Sequence, residues 1–162
     1  GEADLVQILL NLLAETQAPY CVIGGLAVNA YAEPVVSLDL DIVVIAGEIE
    51  AFCAAALEYG LKIERFPHSI NLGSSRSDLR VQIQTDERYR DFIARAEIKN
   101  VLGYAMRVAR LEDVLQGKLW ACQDPARRGS KRQKDLADIA RIVEAHPALL
   151  ADLPESVRKK IE

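Results

Sequence analysis

Apolar residues recur at Leu5, Ile8, Leu9, Leu12 and Leu13, the three-to-four spacing of one helix face, and Pro19 marks a point by which that helix must have ended. Tyr20–Ile23 is a short apolar run closed by Gly24-Gly25, which predicts a brief buried strand. An Ala-rich helix is expected over Gly25–Ala32, stopping before Pro34. From Leu38 to Ile45 nearly every position is apolar, so this reads as a second strand, interrupted only by Asp39 and Asp41. Glu48–Tyr59 follows Gly47 as a helix, Leu61–Glu64 suits an edge strand, and Leu79–Gln84 alternates strictly. Beyond lie a helix near Glu87–Ala96, a hairpin-like piece over Ile98–Arg107, and helices at Leu111–Gln123, Lys131–Ala145 and about Pro154–Ile161. Strands interleaved with helices and then helices alone predict an α/β (α+β) fold, a mixed β-sheet flanked by helices with a C-terminal helical tail. With no linker or repeat in 162 residues, one domain is expected over 1–162, its sheet core at about 1–108 and its tail at 109–162.

Composition narrows the function classes. A chain that is 50% hydrophobic buries a core and is not disordered. A net charge of -4 argues against a general nucleic-acid binder, so any such contact must come from a local patch. Cys21, Cys53 and Cys122 are far apart and set among apolar residues, which suits reduced core thiols and a cytoplasmic location better than a disulfide or zinc framework. The first residues are acidic and amphipathic with no basic n-region, and no long uncharged apolar run occurs, so neither export nor a membrane partner is expected. His68 and His146 sit beside Pro67 and Pro147 in turn-like contexts with no nucleophile motif near, and are expected at the surface.

Asp39 and Asp41 change the picture most. Two residues apart on a strand, they project from one face roughly 6 to 7 Å apart, with Leu40, Ile42 and Val44 on the other. Carboxylates held that close repel unless a cation lies between them, and hard oxygen ligands suit Mg²⁺ or Mn²⁺, which commonly completes its shell with substrate phosphates. Upstream, Gly24-Gly25 closes a strand and opens a helix, letting backbone N–H groups approach an anion. A chance Asp-x-Asp at a strand end and a merely tight Gly-Gly turn are the alternatives.

Strand, Gly-Gly, short Ala-rich helix, then Ser37-x-Asp39-x-Asp41 in a second strand together resemble the DNA polymerase beta-type nucleotidyltransferase superfamily, and within it the small bacterial branch of AbiEii-like toxins. The likeness continues into Lys118 of "LEDVLQGKLWA" and the helix Lys134-Asp135-Leu136-Ala137-Asp138, and so spans about Tyr20 to Val143. It implies a nucleotidyltransferase-type sheet and an NTP substrate. Asp39 and Asp41 would be metal ligands, Gly24, Gly25, Ser37, Lys118 and Lys134 would hold nucleotide, and Asp39, Asp41, Lys118 and the residue at 82 would serve catalysis. It also implies an RNA (tRNA) or protein acceptor and, for a toxin-antitoxin component, a cognate antitoxin.

The residues in the tail support this independently. Leu111, Val114, Leu115, Leu119 and Cys122 form an apolar stripe on which Lys118 falls, so its ammonium must either snorkel to an edge or find a charged site. In the next helix Ser130 and Gln133 form a capping-box signal, Leu136, Ile139, Ala140 and Val143 make the core face, and Lys134, Asp138 and Arg141 share the other, as a solvated charge ladder or as part of a site. The preceding turn gathers Arg127, Arg128, Lys131, Arg132 and Lys134, a solvated cluster or a holder of triphosphate or an RNA backbone. Catalytic relatives carry a third carboxylate in a neighbouring strand, and the equivalent strand here has Gln82, neutral and unable to accept a proton. Asp78 has the right parity but lies about 13 Å along that strand. Val35 stands where many relatives have Arg, and Leu26 where classical members have Ser. Two readings follow: an Mg-dependent nucleotidyltransferase, or a catalytically impaired relative that binds nucleotide or a partner in the same cleft.

Overall fold

A computed structural model describes residues 2–162, with side chains from residue 5 onward. The elements run α1 (Glu2–Thr16), β1 (Tyr20–Ile23), α2 (Gly24–Val28), β2 (Asp39–Val44), α3 (Ile49–Glu58), β3 (Lys62–Phe66), β4 (Ser69–Ser74), β5 (Ser77–Gln84), α4 (Arg90–Ala94), β6 (Glu97–Val101), β7 (Tyr104–Val108), α5 (Leu111–Gln123), α6 (Gly129–Ala145) and α7 (Glu155–Ile161), with 3₁₀ turns at Ala46–Glu48, Glu87–Tyr89 and Pro147–Asp152. The strands form one mixed sheet in the order β3-β4-β5-β2-β1-β7-β6. β2 runs parallel to β5 and β1 parallel to β7, while the remaining neighbours are antiparallel.

Strand periodicity separates the two faces of the central strands. Leu40 and Ile42 lie opposite Val81 and Ile83, which in turn face Leu72 and Ile70 of β4, and all six are buried. α1, with Leu5, Leu9 and Leu12 buried, lies against α3 and β5. Each such side chain removed from water contributes about 1.5–3 kcal/mol, so these rows fix the register of β2 on β5. That register sets Asp39 beside Arg80 and Asp41 beside Gln82 on the other face.

Several elements depart from the sequence expectation. β4 was not anticipated: Ser, Asn and Gly dilute its alternation, and only pairing on both sides with β3 and β5 makes Ser69–Ser74 a strand. The Ala-rich helix shortens to Gly24–Val28 and passes into turns, where the Asn29 side chain donates to Val35 O (2.8 Å) and accepts Val35 N–H (3.1 Å). α6 starts at Gly129 with Arg128 as its N-cap and no side-chain cap, so the capping box at Ser130 and Gln133 is not formed. His146 is half-buried rather than on the surface, its Nε2 2.8 Å from Tyr31 O. Cys21, Cys53 and Cys122 are free and buried, and burial pushes the Cys21 thiol up to about 12. Among the described residues no helix is long and apolar enough to cross a membrane.

Candidate active site

Gly24 is where the site begins. Its φ of +74° is open to glycine and strained for other residues, and any Cβ there would collide with the Asp41 carboxylate. The β1–α2 turn thus lies directly against Asp41, while Gly25 lies near Asp138, whose Oδ2 is 3.6 Å from the place a Cβ would take. The loop from Asn29 to Leu38 is tied to α6 by Arg141, which donates to Glu33 O (2.6 Å) and Asn29 Oδ1 (2.9 Å). At its end the Ser37 hydroxyl oxygen accepts the Asp39 N–H at 3.2 Å and fixes the entry into β2.

The expected residues come together in one cleft between the sheet and helices α5 and α6. Gly25, Ser37, Asp39, Asp41, Gln82, Lys118 and Lys134 border one cavity, and Gly24 borders a second that shares Asp41, Gln82 and Lys118 with it. Asp39 is the more exposed carboxylate, with Arg80 Nε at 2.7 Å and Lys134 Nζ at 3.6 Å. Partial burial works to raise its pKa, but the Arg80 hydrogen bond and the charges of Arg80, Lys134 and Lys131 prevail and hold it below the usual value. Asp41 makes no side-chain hydrogen bond or ion pair among the described residues. Burial pushes its pKa up, against the pull of Lys118.

Lys118 is buried on the apolar stripe of α5, and its ammonium is met by Asp135 Oδ1 at 3.1 Å and Asp138 Oδ2 at 2.8 Å. Desolvation favours loss of its proton, but Asp138, Asp135 and Asp41 outweigh it and raise the pKa. Arg127 grips Asp135 in a two-pronged contact (2.9 and 3.0 Å), and Arg141 holds Asp138 at 2.8 Å. The face of α6 that could have been a solvated ladder is therefore half interior: Asp135 and Asp138 are buried against α5 while Lys134 stays exposed. Asp135 was missed as a structural centre of the site. The Asp-x-x-Asp spacing put both acids on one face, yet only the partner helix reveals the buried cations that they neutralise.

The donor set suits a divalent ion through two carboxylates. Asp41 is partly buried and unpartnered, Asp39 has only exposed cations on it, and the Gln82 carbonyl oxygen is on the adjacent strand. Among the described residues no group of three or more His, Cys, Asp or Glu could hold a metal, because the third strand position is an amide.

The profile of the family described as nucleotidyl transferase AbiEii toxin, type IV toxin-antitoxin system, matches residues 9–162. The chain belongs to the AbiEii nucleotidyltransferase family. No curated protein sequence matches it. Among solved structures it is similar to the antibiotic-resistance factor ANT(2'')-Ia (TM-score 0.63, 15% identity, 97% of this chain and 89% of that one). It is also similar to the lincosamide antibiotic adenylyltransferase LnuA in its lincomycin-bound form (TM-score 0.59, 15% identity, 88% and 98%). A third likeness is to an antigenic nucleotidyltransferase-like protein from Paracoccidioides brasiliensis (TM-score 0.56, 17% identity, 98% and 92%). At these identities the likeness is one of fold, and AbiEii membership places this fold within a nucleotidyltransferase family.

Proposed function

We propose that this AbiEii-family protein transfers a nucleotide from an Mg²⁺-bound NTP to a hydroxyl of an RNA acceptor in the cytoplasm, as the toxin of a toxin-antitoxin pair. The observation that carries this is the strand register: Asp39 and Asp41 share a face with Gln82, at the mouth of a cavity whose other wall bears Arg127, Lys131 and Lys134. Polyphosphate needs cations, and those on the α6 side supply them in a chain of net charge -4. RNA is favoured over protein as acceptor because the same rim, with exposed Arg80 and Lys134, attracts a phosphate backbone.

Asp39 and Asp41 would hold the ion, which when bound neutralises charge on the phosphates. Lys131 and Lys134 then draw the β- and γ-phosphates into the cavity that they border, setting the α-phosphorus beside Asp41 and Gln82. The Lys118–Asp135–Arg127 and Lys118–Asp138–Arg141 triads brace the wall opposite, so that the carboxylates meet the substrate in a fixed position. An acceptor hydroxyl attacks in line, its new P–O bond forming as the bond to the bridging oxygen breaks. Pyrophosphate leaves and the hydroxyl proton passes to solvent, since Gln82 accepts none.

A second reading, a catalytically impaired relative that binds nucleotide or a partner in this cleft, is favoured by Gln82 alone. One experiment separates them. Purified protein incubated with each labelled NTP, Mg²⁺ or Mn²⁺, and total RNA or cell lysate should pass label to RNA. Gln82→Asp, which adds an ionised ligand beside Asp41, should raise the rate at least about tenfold. Label on protein would exchange the acceptor class. No label on any acceptor with wild type and Gln82→Asp alike would leave the binding reading standing.

A further inference from the structure

The sheet ends at β6 on an open edge. Arg107 of β7 donates its N–H away from β6, to the Tyr20 hydroxyl at 3.1 Å, so Ile98 and Arg107 are one of the antiparallel pairs that exchange no backbone hydrogen bond. The N–H and C=O of Ile98 therefore point out of the sheet, and among the described residues no loop or helix bonds to them. Groups in this position are a template for another strand. Ile98 is also 62% exposed, a large apolar side chain left in water. Glu97 and Lys99 flank it on the opposite face, 3.7 Å apart and both in contact with solvent.

The order Glu97-Ile98-Lys99 is complementary to itself. When two such strands run antiparallel with Ile98 opposite the partner's Ile98, each Glu97 falls opposite the partner's Lys99. Ile98 then makes a hydrogen-bonded pair, each N–H donating to the other C=O, and the charged pairs beside it are of the closely spaced kind in which side chains interact best. Centring the ladder one residue either way sets two ammonium groups or two carboxylates opposite each other. The other edge, β3, repeats the order as Lys62-Ile63-Glu64, but Ile63 is already packed on the core, so pairing there buries little more.

We propose that the β6 edge is a self-pairing surface, on which a second copy of this chain adds antiparallel about Ile98 to make one continuous sheet across a two-fold axis. Paired residues point to the same face, so the axis stands perpendicular to the sheet and the two clefts open on one side of the assembly. The ladder is short. Its next pair sets Asn100 opposite the partner's Ala96, and Ala96 already donates its N–H to Ile93 O (3.2 Å) and accepts from Arg107 (3.3 Å). The dimer is accordingly weak and forms by mass action. Pairing here is independent of nucleotidyl transfer, since none of these residues borders the cleft.

Sedimentation equilibrium of the whole chain, from about 5 µM to about 500 µM, tests this. The wild-type mass should climb from that of one chain towards that of two. Lys99→Glu and Glu97→Lys each place like charges across the ladder and should weaken association at least about tenfold, the effect of reversing two cross-strand pairs. Mixed one to one, these two variants should associate at least as well as wild type. The double variant Glu97→Lys/Lys99→Glu, whose net charge is unchanged, should behave as wild type does. Ile98→Pro, which an edge strand tolerates, removes the N–H and should abolish pairing. Each variant is checked for folding by thermal melting. A wild type that stays a single chain throughout, association that neither charge reversal weakens, or weakening that neither the mixture nor the double variant restores, overturns the proposal.

Discussion

Asp41 is a costly residue in the free protein. Burial raises its pKa, so its charged form is less favourable folded than unfolded, and it destabilises the fold at neutral pH until the pH falls through that raised value. Asp41→Asn should therefore raise Tm of the free protein, by about 2–4 °C for each kcal/mol regained in a chain of this size. A lower Tm in a pH 7 melting experiment would mean that the carboxylate is stabilised by contacts other than those found. Gly24 has the opposite expectation. Gly24→Ala imposes a left-handed conformation costing about 1–2 kcal/mol and drives a methyl group into Asp41, so urea denaturation should show at least that loss together with weaker nucleotide binding.

At the scale of elements, α5 and α6 are joined by buried charge. Lys118→Met leaves Asp135 and Asp138 with one cation each, Arg127 and Arg141, and should cost about 3 kcal/mol in chemical denaturation. Burial alone would raise the Asp138 pKa, but Lys118 and Arg141 hold it below the ordinary value. The stability from this ion pairing is therefore present above the ordinary carboxylate pKa of about 3.9 and is lost as pH falls through the lowered folded value. Asp138→Asn should make the acid limb of the stability–pH profile shallower, and an unchanged limb would contradict the pairing. The same helices show what the sequence held and what it concealed. Lys118 was conspicuous because a cation on an apolar stripe needs a partner, and β2 was conspicuous because two acids interrupted a buried run. Asp135 was not, since a Lys-Asp pair on an amphipathic helix reads as surface until the neighbouring helix is in place. β4 was hidden for the related reason that its strand character comes from its two neighbours rather than from its own side chains.

For the whole molecule, one sheet does two jobs with its two faces. Leu40, Ile42, Val81 and Ile83 secure the core, and the same register, displaced by one residue, presents Asp39, Asp41 and Gln82 to α5 and α6. Slippage of β2 against β5 would exchange the faces and destroy core and site together. The free protein meets the charge of this site with its own cations, Arg80 and Lys134 on Asp39 and Lys118 near Asp41, and a metal-bound triphosphate would replace that arrangement with another of similar balance. The central claim is that Asp39 and Asp41 bind nucleotide through a divalent ion. Calorimetric titration of wild type and Asp41→Asn with non-hydrolysable NTP analogues, each with and without Mg²⁺, separates the outcomes. Mg²⁺ should tighten binding at least about tenfold in wild type and have no effect in Asp41→Asn; equal binding by the two proteins in Mg²⁺, or no Mg²⁺ dependence in wild type, would mean that the two aspartates are not a nucleotide-metal site.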